Sequence, residues 1–148
     1  MNDSTTDQLN KRLKSITMKD FSNYLKQLKQ APTLYEFFNL YMLENHLSAS
    51  EIIRNSFIAR NYGYEILNGK KSNPSRDHLL ALCIGSHMDL DTTQHALRIA
   101  KLGELYSKIP RDAAIMLMIN QEQWNIIGIN ELLVEHELEP IHYTKNLK

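Results

Sequence analysis

Leu47-Ser48-Ala49-Ser50-Glu51-Ile52-Ile53-Arg54 opens the stretch whose reading decides the fold. Phe57-Ile58-Ala59-Arg60-Asn61, then Ile66-Leu67-Asn68-Gly69-Lys70-Lys71-Ser72-Asn73-Pro74-Ser75, then Leu79-Leu80-Ala81-Leu82 complete it. Ser48 with Glu51 three positions later is a capping box, in which each residue satisfies a backbone N–H of the other. A helix is therefore expected from Ser48 to about Ser56, and Phe57-Ile58-Ala59 is expected to turn. The next helix runs from about Arg60 to Leu67 and stops at Asn68-Gly69, a good C-terminal signal. Ser75 after Pro74 caps a further helix, with His78 where glutamate is usual. Two short helices joined by a tight turn need a small shared core, and Ile52, Ile53, Ile58 and Ile66 supply it.

In this order and spacing, the stretch resembles the Cro/C1 (Xre-type) helix-turn-helix family. Members typically read Leu-Thr-x-x-Glu-Leu-Ala, a turn, a helix ending Ile-x-Asn-Gly-Lys-Arg, and Pro-Ser before a Leu-rich helix. The resemblance covers about Leu47 to Leu97. It implies a lambda-repressor-like five-helix core and a second helix whose first turn enters the DNA major groove, which is wide enough to admit one. On that turn lie Ala59, Arg60, Asn61 and Tyr64, the expected base contacts. Arginine pairs with guanine, and asparagine with adenine, through two hydrogen bonds each. Ser48, Lys70, Lys71, Ser72 and Asn73 are the expected phosphate contacts, which set register and carry no sequence information. The chain departs from the family pattern in five places. Ala49 stands where Gln is frequent, Phe57 where Gly is common, Gly63 where a buried Ile or Val is usual, Glu65 adds a negative charge near the expected DNA face, and one extra residue, Ser72 or Asn73, lengthens the loop before Pro74.

Outward from this stretch, helical spacing dominates and no segment alternates long enough for a strand. Leu9, Leu13, Ile16, Phe21, Leu25 and Leu28 mark a helical segment from Thr6 to Gln30, with Ser15 and Thr17 as a break. Ala31-Pro32 ends it, because the residue before proline avoids the helical region. Thr33 and Glu36 form a second capping box for a helix from Leu34 to about His46. Later helices are expected from Asp89 to about Leu102, from about Arg111 to Asn120, and from Gln123 to Leu138 before Pro140. The last six residues read as a polar tail. Leu90 to Leu105 and Trp124 to Leu138 echo one another, each a helix followed by an acidic residue beside leucine, although amphipathic helices produce such echoes by chance.

The expected architecture is all-α: an N-terminal helical arm (1–33), the Cro/C1-like core (34–102), and a C-terminal helix pair (103–148) packed on the core or at a dimer interface. The last helix shows Trp124, Ile127, Leu132, Val134 and Leu138, with Ile126, Ile129 and Leu133 also apolar, which is more than one stripe. That fits folding back on the domain, or dimerisation as in proteins that bind paired half-sites.

The chain has 148 residues, 43% of them apolar, one cysteine and zero net charge. One cysteine rules out an internal disulfide. The start, Met1 to Gln8, is polar, so no secretory leader is expected, no apolar run is long enough to cross a bilayer, and a cytoplasmic location is the default. Charge is uneven. Residues 1–35 carry six Lys/Arg against three Asp/Glu, residues 36–75 four of each, and residues 76–148 seven against ten. A zero total with an acidic end is compatible with a basic face elsewhere and does not establish one.

No Gly-rich phosphate loop, nucleophile elbow or His-Glu-x-x-His occurs, so no enzyme and no cofactor is expected. Cys83 and His87 have metal-capable spacing but no second pair, and a structural zinc site needs four ligands, so no metal is expected. The expected function is sequence-specific DNA binding by a transcriptional regulator, with double-stranded DNA as partner and a homodimer in view. The alternative is a helix-turn-helix-derived module that binds another protein and no DNA.

Overall fold

A computed structural model describes residues 6–28 and 32–143. The expected stop at Ala31 and the tail from residue 144 onward lie outside the described residues. All regular structure among them is helical, and no helix there is long and apolar enough to cross a membrane. The chain divides into two compact units, residues 1–31 and 32–148.

The first unit holds α1 (Thr6–Ser15) and α2 (Phe21–Gln27), separated by a 3₁₀ turn at Met18–Asp20. The break falls where Ser15 and Thr17 suggested it. Thr17 caps the turn by accepting from the Asp20 N–H. The Arg12 guanidinium lies over the Tyr24 ring, 5.4 Å from its centroid, and donates to the Gln27 side chain. These contacts hold the two helices together, while Leu13, Met18, Phe21, Leu25 and Leu28 stay exposed.

The second unit starts with α3 (Leu34–Asn45), capped by the Thr33–Glu36 box, and α4 (Ala49–Ser56), capped by the Ser48–Glu51 box. Then come α5 (Arg60–Leu67), α6 (Arg76–Gly85), α7 (Leu90–Ile99), α8 (Pro110–Asn120) and α9 (Ile126–Glu135). The centre is α6, in which every residue from Leu79 to Gly85 is buried. It packs most extensively on α4, and α7 and α9 also lie against it. Tyr41 Oη ties α3 to the end of α6 by donating to the Ser86 carbonyl at 2.8 Å.

Two helices are shorter than their spacing predicts. α7 stops at Ile99 because Lys101 takes a left-handed φ of 60° and the Leu102 N–H closes back on the Leu97 carbonyl. α9 ends in the same way through Glu137, φ 58°, with the Leu138 N–H on the Leu133 carbonyl. It begins only at Ile126, capped by Asn125. Trp124 therefore precedes the helix; its Nε1 donates to the Met88 carbonyl and its ring stacks on His87, centroids 5.0 Å apart.

These matching ends belong to a larger correspondence. The α8–α9 hairpin repeats the α6–α7 hairpin. His87 and Glu122 are both left-handed after the first helix of their hairpin. Gln94 of α7 holds Leu105 by both its N–H and its carbonyl, and Asn130 of α9 holds Ile141 in the same way. Arg76 donates to the Gly103 and Glu104 carbonyls, and Arg111 to those of Glu139 and Pro140. The hairpins also pair reciprocally. Arg76 binds Asp112 with two hydrogen bonds of 2.9 and 3.0 Å, while Arg111 binds Asp77 at 3.0 and 3.1 Å. The Tyr106 N–H donates to Asp112, and the His142 N–H to Asp77. Exchange of equivalent contacts in both directions is what an approximate two-fold relation produces. The structural repeat sets Leu90–Leu105 against Ile126–Ile141, 36 residues on, so the echo of Leu90–Leu105 in Trp124–Leu138 has the right helices in the wrong register, and Glu104-Leu105 matches Pro140-Ile141, not Glu137-Leu138.

Candidate nucleic-acid interface

Two glycines set the geometry of the α4–α5 unit. A Cβ on Gly63 would lie 2.8 Å from Ile53 Cγ1 and 3.0 Å from Ile58 Cγ2. Gly63 therefore brings α5 close to α4, where a larger residue would hold it off. On α6, a Cβ on Gly85 would lie 2.8 Å from both the Ile52 carbonyl oxygen and the Ser56 nitrogen. Between the helices Phe57 adopts φ 59°, the left-handed conformation that glycine enters at least cost. The turn geometry is reached without glycine. Its buried floor is Ser56, whose Oγ donates to the Ile53 carbonyl and accepts from the Ile58 N–H.

With Gly63, Ile66 and Leu67 buried, the opposite side of α5 faces solvent. Ala59, Arg60 and Asn61 are exposed on its first turn and Tyr64 is half-buried one turn on. The Arg60 guanidinium sits over the Tyr64 ring, 5.7 Å from the centroid. Such a cation–π contact limits the rotamers of arginine while leaving its N–H groups to other acceptors. Tyr62 instead packs inward, edge-on to His78 with centroids 4.8 Å apart, and burial raises its phenol pKa.

The expected phosphate contacts are unequal. Ser48 Oγ accepts from the Glu51 N–H at 3.1 Å and donates to the Glu51 carboxylate at 3.1 Å. Its hydroxyl is thus engaged in the helix cap, and the Glu51 carboxylate occupies the end where an anion would approach. Lys70 reaches the Glu65 carboxylate at 3.9 Å, which offsets part of its charge. Lys71, Ser72 and Asn73 are exposed in the loop before α6. The loop is pinned by the Lys70 N–H on Asn68 Oδ1 and the Lys71 N–H on the Glu65 carbonyl. Arg54, which the sequence pattern did not single out, is exposed on α4. Its signal was its place four residues after the exposed Ser50. Residues 48–75 carry four cations, Arg54, Arg60, Lys70 and Lys71, against two anions, Glu51 and Glu65, so this segment is basic within a neutral chain.

Elsewhere, Cys83 is wholly buried, which raises its thiol pKa and keeps it protonated, whereas His87 is exposed. The two do not form a site. No family model matches the chain, and comparisons with curated proteins and with solved structures return no match.

Proposed function

We propose that this chain is a sequence-specific DNA-binding transcriptional regulator of the Cro/C1 type, with α5 as the helix that reads the major groove. The observation that carries this reading is the first turn of α5. Ala59, Arg60 and Asn61 are presented together on the exposed face of a helix whose other face is fixed by close packing. Arg60 reads guanine, Asn61 reads adenine, and Tyr64 orients Arg60. Lys71, Ser72 and Asn73 contact phosphate, joined by Lys70 once it leaves Glu65.

Selection of binding sites from a random duplex pool at near-physiological salt tests this. The expected result is an enriched motif, and a palindromic one indicates a dimer from its half-site spacing. Arg60→Ala then costs about 1–3 kcal/mol on that motif and relaxes one position. An Arg60→Ala protein that binds every sequence as the parent does refutes base reading by Arg60.

A second reading, a helix-turn-helix-derived module for protein binding, is favoured by one observation. Glu51 and Glu65 bring carboxylates to the face where phosphates would lie, and they engage Ser48 and Lys70. No enriched motif, together with no retardation of DNA at low salt, supports that reading instead.

A further inference from the structure

The first turn of α5 is weakly held by its own sequence. Of the described helices α3 to α9, α5 alone starts with neither a side-chain cap nor a proline. Its N-cap position is Ala59, whose methyl group cannot accept from the free N–H groups at a helix start. The backbone bond that closes the turn runs from the Gly63 N–H to the Ala59 carbonyl at 2.8 Å. Just before the helix, the Ile58 N–H reaches Ser56 Oγ only at 3.4 Å. Phe57 holds φ 59° and ψ 13°, a conformation whose cost glycine would avoid.

What the phenylalanine supplies is a ring. Phe57 meets the ring of Tyr143, centroids 6.0 Å apart and planes tilted by 53°. The segment that carries Tyr143 is itself anchored. Ile141 is buried, and Asn130 of α9 binds both its N–H and its carbonyl. The His142 N–H donates to Asp77 of α6. The chain is thus tied to α9 and to α6 immediately before it reaches the turn. A second contact of this kind lies ahead of α9, where Trp124 stacks on His87, the left-handed residue after α6. The residues flanking α9 therefore set one ring against each of two left-handed turns, those that end α4 and α6.

We infer that residues 141–143 are a strap that keeps the first turn of α5 closed, with Tyr143 a positioning residue that acts through Phe57. The strap does from outside what a cap does from within. It restrains the chain two residues ahead of Ala59, so opening of the helix start that swings Phe57 costs the ring contact. Order at the start of α5 is thereby coupled to the α8–α9 hairpin. A change that lifts the segment from Phe57 loosens Ala59, Arg60 and Asn61 as a local opening, with the packing of α4 on α6 retained. As a control on DNA binding this rests on the proposed role of α5; the coupling itself does not.

Amide hydrogen exchange on the full-length protein, read by NMR without DNA, tests it. Tyr143→Ala is expected to speed exchange of the Gly63 N–H about two- to tenfold, the range an aromatic pair supplies. The Phe37 and Thr93 N–H groups, which close the first turns of α3 and α7 on the Thr33 and Asp89 carbonyls, are the controls and are expected to exchange as before. Tyr143→Phe keeps the ring and is expected to match the parent. In a Phe57→Ala background, Tyr143→Ala is expected to add nothing, because the contact is already gone. Three results overturn the inference: Gly63 exchange in Tyr143→Ala equal to that of the parent, a rise shared equally by Phe37 and Thr93, or effects of the two alanine substitutions that multiply. The measurement involves no DNA, so the strap and the DNA-binding role of α5 fail separately.

Discussion

Gly85→Ala adds one methyl group where α4 and α6 touch backbone to backbone. The new Cβ would lie 2.8 Å from the Ile52 carbonyl oxygen and the Ser56 nitrogen, and 3.1 Å from the Ser56 Cα. Ordinary contact begins near 3.4 Å, so α4 has to retreat by about 0.6 Å, and no side-chain rotation relieves the clash. A gap of that size forfeits roughly a quarter to a half of each dispersion contact it opens. Ile52 and Ser56, both fully buried, sit on that interface. Overpacking against backbone belongs at the upper end of the usual range, about 3 kcal/mol. The better helix propensity of alanine returns at most about 1 kcal/mol, which leaves a net loss of about 2 kcal/mol. For a unit of this size that lowers the melting temperature by about 6–10 °C. Thermal denaturation followed by circular dichroism reads it directly. Gly128→Ala is the control. Its Cβ would meet only Asn125 atoms at 3.8 Å, so it is expected to gain up to about 1 kcal/mol. A Gly85→Ala protein that melts at or above the parent temperature refutes the close approach of α4 and α6.

Asp112→Ala leaves the largely buried Arg76 guanidinium without its carboxylate and is expected to cost about 2–4 kcal/mol in urea unfolding. Asp112 also gives an acid dependence. Burial raises its pKa, but hydrogen bonds from Arg76 and the Tyr106 N–H, with the charges of Arg76 and Arg111, outweigh burial and lower it below 3.8. A carboxyl depressed in the folded state stabilises fully above its unfolded pKa. That contribution is lost as pH falls below about 4, and Asp112→Asn is expected to flatten this part of a stability–pH curve. On DNA, Lys71→Ala is expected to reduce the salt slope of binding by about one counterion. Glu65→Gln, by freeing Lys70, is expected to tighten binding to all sequences alike, which a filter or mobility titration measures.

The α4–α5 unit was legible because local chemistry marks its ends. Ser48 and Glu51 announce the start, Asn68-Gly69 the stop, and Pro74-Ser75 the next helix. The turn was less so, since Phe57 does the work expected of glycine and only the backbone reveals it. The repeat was barely legible for the same reason. His87, Lys101, Glu122 and Glu137 end their helices in left-handed conformations, yet none is the glycine or asparagine that flags such an end in a sequence. Its strongest evidence lies in partners 34 and 36 positions apart, Arg111 with Asp77 and Arg76 with Asp112, a separation no local pattern reports. Within the site, the exposure of Arg60 and Asn61 followed from the helical period. The engagement of Ser48 by its own cap and of Lys70 by Glu65 required coordinates, because each depends on a rotamer.

The crossed arginine–aspartate pairs give the two hairpins a common fate. Each arginine braces the end of its own hairpin but is neutralised by an aspartate of the other. If either hairpin frays, its neighbour is left holding a largely desolvated charge. Neither can serve as a melted intermediate while the other persists, so α6 to α9 are expected to lose their helices together on heating. An architecture written twice along the chain is thereby made to stand or fall once.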